Sequence, residues 1–169
     1  DVTSYPSRTI KIVVAFPPGG GPDVLARIIA SGLERRLGKP VIVENMPGAS
    51  GALAARSTAR AAADGYTLLM CTVSSCATNV SLHKKLPYDP LSDFTPVTLM
   101  ASSPTVLIVH PSLPARNVRD LIAIAKKMPG QLNFGSGGKG SSTHLVAELF
   151  GSNAGIRLNH VPYKGAGPA

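Results

Sequence analysis

A β-branched run over residues 9–16 stops at Pro17-Pro18-Gly19-Gly20-Gly21 and gives way to a helical period that lasts until Gly38. That change from a buried-strand pattern to a 3.6-residue period, across a glycine-rich turn, constrains the fold more than any other feature. The alternation then recurs. Val41-Ile42-Val43-Glu44 reads as a second strand, 45–48 as a turn, and 50–63 as an Ala-rich helix ended by Asp64-Gly65. Residues 67–72 read as a third strand and 74–82 as a short helix. Past an irregular stretch with Pro87 and Pro90, strands are expected over 95–102 and 105–110. A helix follows over 118–128, capped by Asn117 and stopped by Pro129-Gly130. A short strand at 132–134, a Gly/Ser loop at 135–142, a helix over 143–154 and a strand over 156–161 complete the pattern. Strands separated by helices predict a parallel α/β architecture. The first helix is expected to bury Val24, Leu25, Ile28, Ile29 and Leu33.

Composition narrows the classes of function. Hydrophobic residues make up 44% of the 169, enough to bury a core and exclude disorder. No run of about 18 uncharged apolar residues predicts a transmembrane span. Seventeen Lys+Arg against nine Asp+Glu give a net charge of +8. The basic pairs Arg35-Arg36, Lys84-Lys85 and Lys126-Lys127 lie near helix ends or in loops, as solvated faces do. Aromatic residues do not interleave with them, and no nucleic-acid-binding motif is present, so a nucleic-acid partner is not expected. Cys71 and Cys76 lie five apart, without the CxxC spacing of a metal site. Buried free thiols, a local disulfide in an oxidising compartment, or a chance pair all fit; the apolar run Leu68-Leu69-Met70 favours buried thiols. The chain opens on a polar stretch without an initiator Met or a signal peptide, which fits a mature N-terminus left after cleavage or an arbitrary boundary.

In open α/β sheets, ligands bind outside the carboxyl ends of the strands. Three loops leave strand ends there: 16–23, 72–76 and 135–142. In the first, glycines admit a ligand close to the backbone, and Pro22 suits the first turn of a helix whose amides favour an anion. A tight turn with Asp23 as an N-terminal charge partner fits the same residues. No Gly-Lys-Ser/Thr follows, so it is not a Walker loop. The second, Thr72-Val73-Ser74-Ser75, offers hydroxyls that bind a ligand oxygen or cap the next helix. The third, Gly135-Ser136-Gly137-Gly138-Lys139-Gly140-Ser141-Ser142-Thr143-His144, resembles a phosphate cradle and suits a carboxylate equally. His144 sits one turn into the helix, where packing or capping competes with ligand contact. No nucleophile elbow, paired-carboxylate spacing or metal cluster appears, and neither catalysis nor a cofactor is expected.

Eight segments in register carry a resemblance. They are Tyr5-Pro6-Ser7-Arg8-Thr9-Ile10-Lys11-Ile12-Val13-Val14 running into Phe16-Pro17-Pro18-Gly19-Gly20; Val43-Glu44-Asn45-Met46-Pro47-Gly48-Ala49; Asp64-Gly65-Tyr66-Thr67-Leu68-Leu69; Leu86-Pro87-Tyr88-Asp89-Pro90 with Asp93-Phe94; His110-Pro111-Ser112-Leu113-Pro114; Pro129-Gly130-Gln131-Leu132-Asn133; His144-Leu145 with Glu148-Leu149-Phe150; and His160-Val161-Pro162-Tyr163-Lys164-Gly165. In this order they resemble the Bug family, the extracytoplasmic solute-binding receptors of tripartite tricarboxylate transporters.

The resemblance implies a type II periplasmic binding protein: two α/β lobes, a small carboxylate held between them by backbone amides and ordered water, and no enzymatic activity. It implies delivery of the ligand to a membrane permease. It implies a first-lobe site at Phe16, Gly19, Gly20 and Asp23, with Thr72 and Ser74 beside it. Ser136, Gly140, Ser141, Ser142 and His144 would hold a carboxylate from the second lobe, with Lys164 near the rim. Pro22 stands where the family commonly has Thr, and Met46 where it commonly has Arg. Family chains continue beyond residue 169. The lobes are therefore expected at 1–101, lacking a return segment, and 102–169, incomplete. The alternative reading is a truncated module that binds no ligand and pairs with a second copy as a homodimer. A phosphate-handling enzyme, suggested only by the Gly/Ser loop, is the third.

Overall fold

A computed structural model describes residues 5–169. The chain divides into two compact units, the first ending at Leu99 and the second beginning at Met100.

The first unit is built on a three-stranded parallel sheet in the order β2-β1-β3, with β1 at Ile10–Val14, β2 at Val41–Asn45 and β3 at Thr67–Met70. The β-branched run supplies the central strand. Ile10, Ile12, Val13, Val14 and Ala15 are all at most 3% exposed, as expected of a parallel strand covered on both faces. Val13 and Ala15 pack on Ala54 of helix α2 (Ala52–Ala59), with Phe16, Met46 and Leu69 around them. A second cluster joins Ala52 and Ala55 to Tyr88, flanked by Leu69, Leu86 and Phe94. Helix α1 (Gly21–Leu37) lies along β1 and β2 and stops at Gly38, whose left-handed φ of 65° lets its amide reach the Glu34 carbonyl at 3.0 Å.

The buried face of α1 differs from the expected one. Asp23, Ala26 and Ala30 are buried, whereas Val24 and Ile28 are 47% and 63% exposed. Small side chains let the helix approach the sheet, and the larger ones flank that contact line.

Before α2 comes a single 3₁₀ turn, Ala49–Gly51, in which Ala49 and Ser50 take φ of 47° and 51°. A π-type turn at Ser74–Thr78 leads into the short helix α3 (Asn79–Leu82). Arg8 ties the start of the first unit to the α2–β3 turn, bonding Asp64 at 2.6 Å and lying 4.1 Å above the Tyr66 ring.

The second unit pairs β4 (Asn133–Ser136) with β5 (Asn159–Pro162) in parallel, with α4 (Val118–Lys127) and α5 (Ser142–Ala154). Asn117 caps α4 by accepting the Asp120 amide at 3.0 Å. Leu121 and Ala125 are its buried residues.

The strands expected over 95–102 and 105–110 do not form. A strand needs a ladder partner, and among the described residues none runs beside this segment. Its apolar side chains, Val97, Leu99 and Val106 to Val109, are exposed.

Candidate functional site

The first loop is shaped from below by one buried carboxylate. Asp23 is 2% exposed, in the first turn of α1. It accepts the Gly19 amide at 2.9 Å, Arg27 Nε at 3.1 Å and Asn45 Nδ2 at 2.8 Å. Asn45 Nδ2 also donates to the Phe16 carbonyl at 2.9 Å, and Arg27 Nη2 donates back to Asn45 Oδ1 at 3.1 Å. Hydrogen bonds from Arg27, Gly19 and Asn45 hold the Asp23 carboxyl at about 2, well below its usual 3.8, against the opposing cost of burial. The ring joins the ends of β1 and β2 to the start of α1. It fixes the path of 16–20, whose glycines leave Gly21 as the first helical amide without an intrahelical acceptor.

The second loop is closed twice. Thr72 and Ser75 cap each other, with the Thr72 amide donating to Ser75 Oγ at 3.0 Å and the Ser75 amide to Thr72 Oγ1 at 3.4 Å. A disulfide between Cys71 and Cys76 brackets the same residues, their Cα atoms 6.0 Å apart. This corrects the favoured reading of buried thiols. The π-type turn brings the pair within bridging distance, and Cys71 lies at the surface. Ser74 and Ser75 are buried. The Tyr88 hydroxyl donates to the Ser75 carbonyl, and Asn79 Nδ2 reaches the Ser50 carbonyl at 3.2 Å. Gly51 is the hub of this end of the sheet. At φ +92°, a Cβ there would lie 3.0 Å from the Cβ atoms of both Ala15 and Ser75. The segments that follow β1, β2 and β3 thus meet at one glycine.

In the second unit, the loop after β4 is knitted by its own side chains. Ser136 and Ser141 are 1% and 3% exposed. The Gly138 amide donates to Ser136 Oγ at 3.2 Å, and the Gly137 amide to Thr143 Oγ1 at 3.0 Å. Ser141 caps α5 by accepting the His144 amide at 3.3 Å. The Gly140 amide donates to His144 Nδ1 at 3.1 Å. Ser136 Oγ is 2.6 Å from His160 Nε2 on the neighbouring strand, and burial, with His144 and Lys139 nearby, pushes the His160 imidazole below its ordinary 6.5. With the His144 amide capped, those of Ser142 and Thr143 remain at the mouth of α5 without an intrahelical acceptor.

Phe16, Gly19 and Asp23 therefore lie in one network at the end of β1, with Gly20 between Gly19 and the start of α1, and Thr72 and Ser74 just past the end of β3 in the same unit. Ser136, Gly140, Ser141, Ser142 and His144 gather at the end of β4 in the second unit. Lys164 is exposed in the turn after β5; its neighbours Tyr163 and Gly165 run beside Gly138 and Gly137. Residues that sequence reasoning passed over are Arg27, Asn45, Gly51, Asn79, Tyr88 and His160. Only Gly51, three residues past Gly48, and Arg27, one turn along α1 from Asp23, carried a local signal. The others act through partners distant in sequence. Among the described residues, no group of three His, Cys, Asp or Glu is placed to hold a metal ion, and no helix is long and apolar enough to cross a membrane.

Comparison with known proteins places these features. A family model described as tripartite tricarboxylate transporter family receptor, TctC, matches residues 25–169. The chain is 44% identical over 167 residues to protein BugT of Bordetella pertussis, covering 98% of this chain and 51% of that protein. It superposes with a TM-score of 0.94 at 41% identity on R. palustris Rpa4515, solved with adipate, covering 97% of this chain and 55% of that one. With MatC (Rpa3494) from Rhodopseudomonas palustris, solved with bound malate, the TM-score is 0.89 at 35% identity, covering 97% and 56%. The chain spans about half the length of the curated relatives it matches. Parallel α/β units with glycine- and hydroxyl-rich loops at their strand ends are those of a periplasmic binding protein of the Bug type. The chain belongs to the tripartite tricarboxylate transporter receptor family, a family of extracytoplasmic solute receptors rather than enzymes.

Proposed function

We propose that the protein is a periplasmic receptor that captures a small organic acid by its carboxylate and delivers it to a membrane permease. The observation that carries this reading is the shared design of the strand-end loops in the two units. Each offers neutral donors at a helix start, and each is stiffened by a buried side-chain network so that those donors are fixed before a ligand arrives. A carboxylate suits such donors, since hydrogen bonds to a charged acceptor are the stronger kind. The adipate and malate in the two R. palustris relatives are small dicarboxylates, which points to the same ligand class here.

Within this reading the side chains divide by role. Asp23, Ser136, Ser141 and His144 shape the loops. The amides of Gly21, Ser142 and Thr143, with Gly20, Thr72 and Ser74, offer the contacts, while those of Gly19 and Gly140 are spent on Asp23 and His144 and hold the loops in shape. Phe16 supplies the apolar wall and Lys164 an exposed cation at the margin. Isothermal calorimetry against mono-, di- and tricarboxylates, including adipate and malate, tests the proposal. Binding of at least one that is lost on Ser142→Pro, which removes an amide at the α5 mouth, supports it. Silence across the panel by the folded protein refutes it.

A second reading draws on the exposed run Val97, Leu99 and Val106 to Val109, which suits self-association without a ligand. Light scattering decides it: a monomer at all concentrations removes it.

A further inference from the structure

Three rings form one stack behind the second-unit loop. Phe134 on β4 lies 4.9 Å from His160 on β5 at 20°, and His160 lies 4.0 Å from His144 on α5 at 25°. The strand register creates this arrangement, because Phe134 and His160 are direct partners across the β4–β5 ladder. Both imidazoles are also tied to the loop. His160 Nε2 meets Ser136 Oγ at 2.6 Å, at the loop's first residue. His144 Nδ1 accepts the Gly140 amide at 3.1 Å, near its end.

The second bond has a fixed direction. A backbone N–H only donates, so Nδ1 of His144 must be unprotonated, and the proton of the neutral ring sits on Nε2. Nε2 faces Glu148 Oε1 at 3.6 Å, one turn along α5. A proton added to His144 must go to Nδ1. There it meets the Gly140 N–H head-on and turns an acceptor into a second donor. The bond that pins Gly140 is then lost. Around His160 the charged groups pull in opposite senses: Glu148 favours its imidazolium, whereas the His144 ring and Lys139 on the loop oppose it. With the ring centroids 4.0 Å apart, both imidazoles cannot be charged at once without strong repulsion.

We propose that the His144–His160 pair is a proton-operated latch, which when neutral holds the 136–141 loop in its binding shape and on protonation at His144 releases Gly140. The inference rests on the reading of this loop as part of a carboxylate site, which it deepens by adding control of affinity by acidity. Gly140 is well suited to such control. Its φ of 82° is a left-handed conformation that the bond to His144 stabilises, and without that bond a glycine is free to leave it.

The test has two arms. In the first, without ligand, the Gly140 amide and both imidazoles are followed by NMR from about pH 7.5 to about pH 5. The Gly140 resonance is expected to follow the His144 titration, with hydrogen-exchange protection falling about tenfold beyond the intrinsic pH effect. His144→Asn offers an amide oxygen where Nδ1 stood and does not titrate, so it is expected to keep Gly140 protected at both ends of the range. A Gly140 amide indifferent to His144 overturns the latch whether or not any ligand binds. In the second arm, adipate and malate affinities are compared over the same range. Wild-type affinity is expected to fall about tenfold on acidification, while the His144→Asn variant stays level. Binding that is equally strong at both ends in the wild type overturns the latch. Absence of binding at every pH instead counts against the carboxylate reading, and the first arm still decides the latch.

Discussion

Asp23 gives the sharpest prediction about the first unit. Its carboxyl is held at about 2 rather than 3.8 by Arg27, Gly19 and Asn45, so the folded state favours the charged form more than the unfolded chain does. A shift of that size corresponds to about 2 kcal/mol, and screening of the half-exposed Arg27 head group by water reduces it to about 1–2 kcal/mol. The sign follows from the depressed pKa. The stabilisation is complete above the unfolded value of 3.8 and is lost as the pH falls from there towards 2. Asp23→Asn removes the charge and places an NH₂ among three donors, and is expected to cost about 2–3 kcal/mol at neutral pH. The assay is hydrogen exchange at the β1 amides, which reports opening of the first unit, for wild type and variant from about pH 6 to about pH 2. Other carboxyls titrate in both proteins, so the difference between the two curves isolates Asp23. It should be constant above about pH 4 and shrink below it. Parallel curves throughout, or an Asp23 side-chain carbon titrating at 3.8 by NMR, would refute the network's role.

Gly51→Ala combines left-handed strain with contacts at 3.0 Å to Ala15 and Ser75, and is expected to destabilise the first unit by about 2–4 kcal/mol in urea unfolding. Tyr88→Phe leaves the Ser75 carbonyl and Asn79 without their hydroxyl partner and should cost about 1–3 kcal/mol by the same measurement. Asn117→Ala removes the α4 cap and should cost about 1 kcal/mol, read as faster exchange of the α4 amides. Alkylation with iodoacetamide in denaturant should add no mass before reduction and two adducts after it, one at each of Cys71 and Cys76.

Several elements were legible because their causes are local. A continuous β-branched run marks a strand covered on both faces, and β1 is such a strand. Gly38 and the Asn117 cap mark helix ends by their own backbone and side-chain chemistry. What failed depended on partners. The 95–110 segment has the composition of strands but no described strand beside it, and composition cannot supply a ladder. The face of α1 was misread because a hydrophobic stripe selects the largest residues, whereas close approach to a sheet selects Ala26 and Ala30. Site residues followed the same division. The loops were found from glycines and hydroxyls at strand ends. Their supports were not: Asn45 lies 22 residues from Asp23, Tyr88 lies 13 from Ser75, and His160 lies 24 from Ser136. No spacing announces such pairs; the packing of helices and loops on the sheets creates them.

The same supports explain why the excess of positive charge and the candidate site are separate matters. Arg27, the cation nearest the first loop, spends its guanidinium on Asp23 and Asn45. Arg8 is engaged by Asp64 and Lys11 by Glu44. Lys139 apart, the polar groups of these loops are dipolar: amides and hydroxyls stiffened by a buried carboxylate in one unit and by a pair of imidazoles in the other. Fixed dipoles need no reorganisation when an anion arrives, and their strength depends on how firmly they are held. A formal charge would bind any anion that came near. On the proposed carboxylate reading, the unspent amides of loops stiffened by Asp23 and His144 would discriminate by geometry, which gives buried residues that touch no ligand a part in specificity.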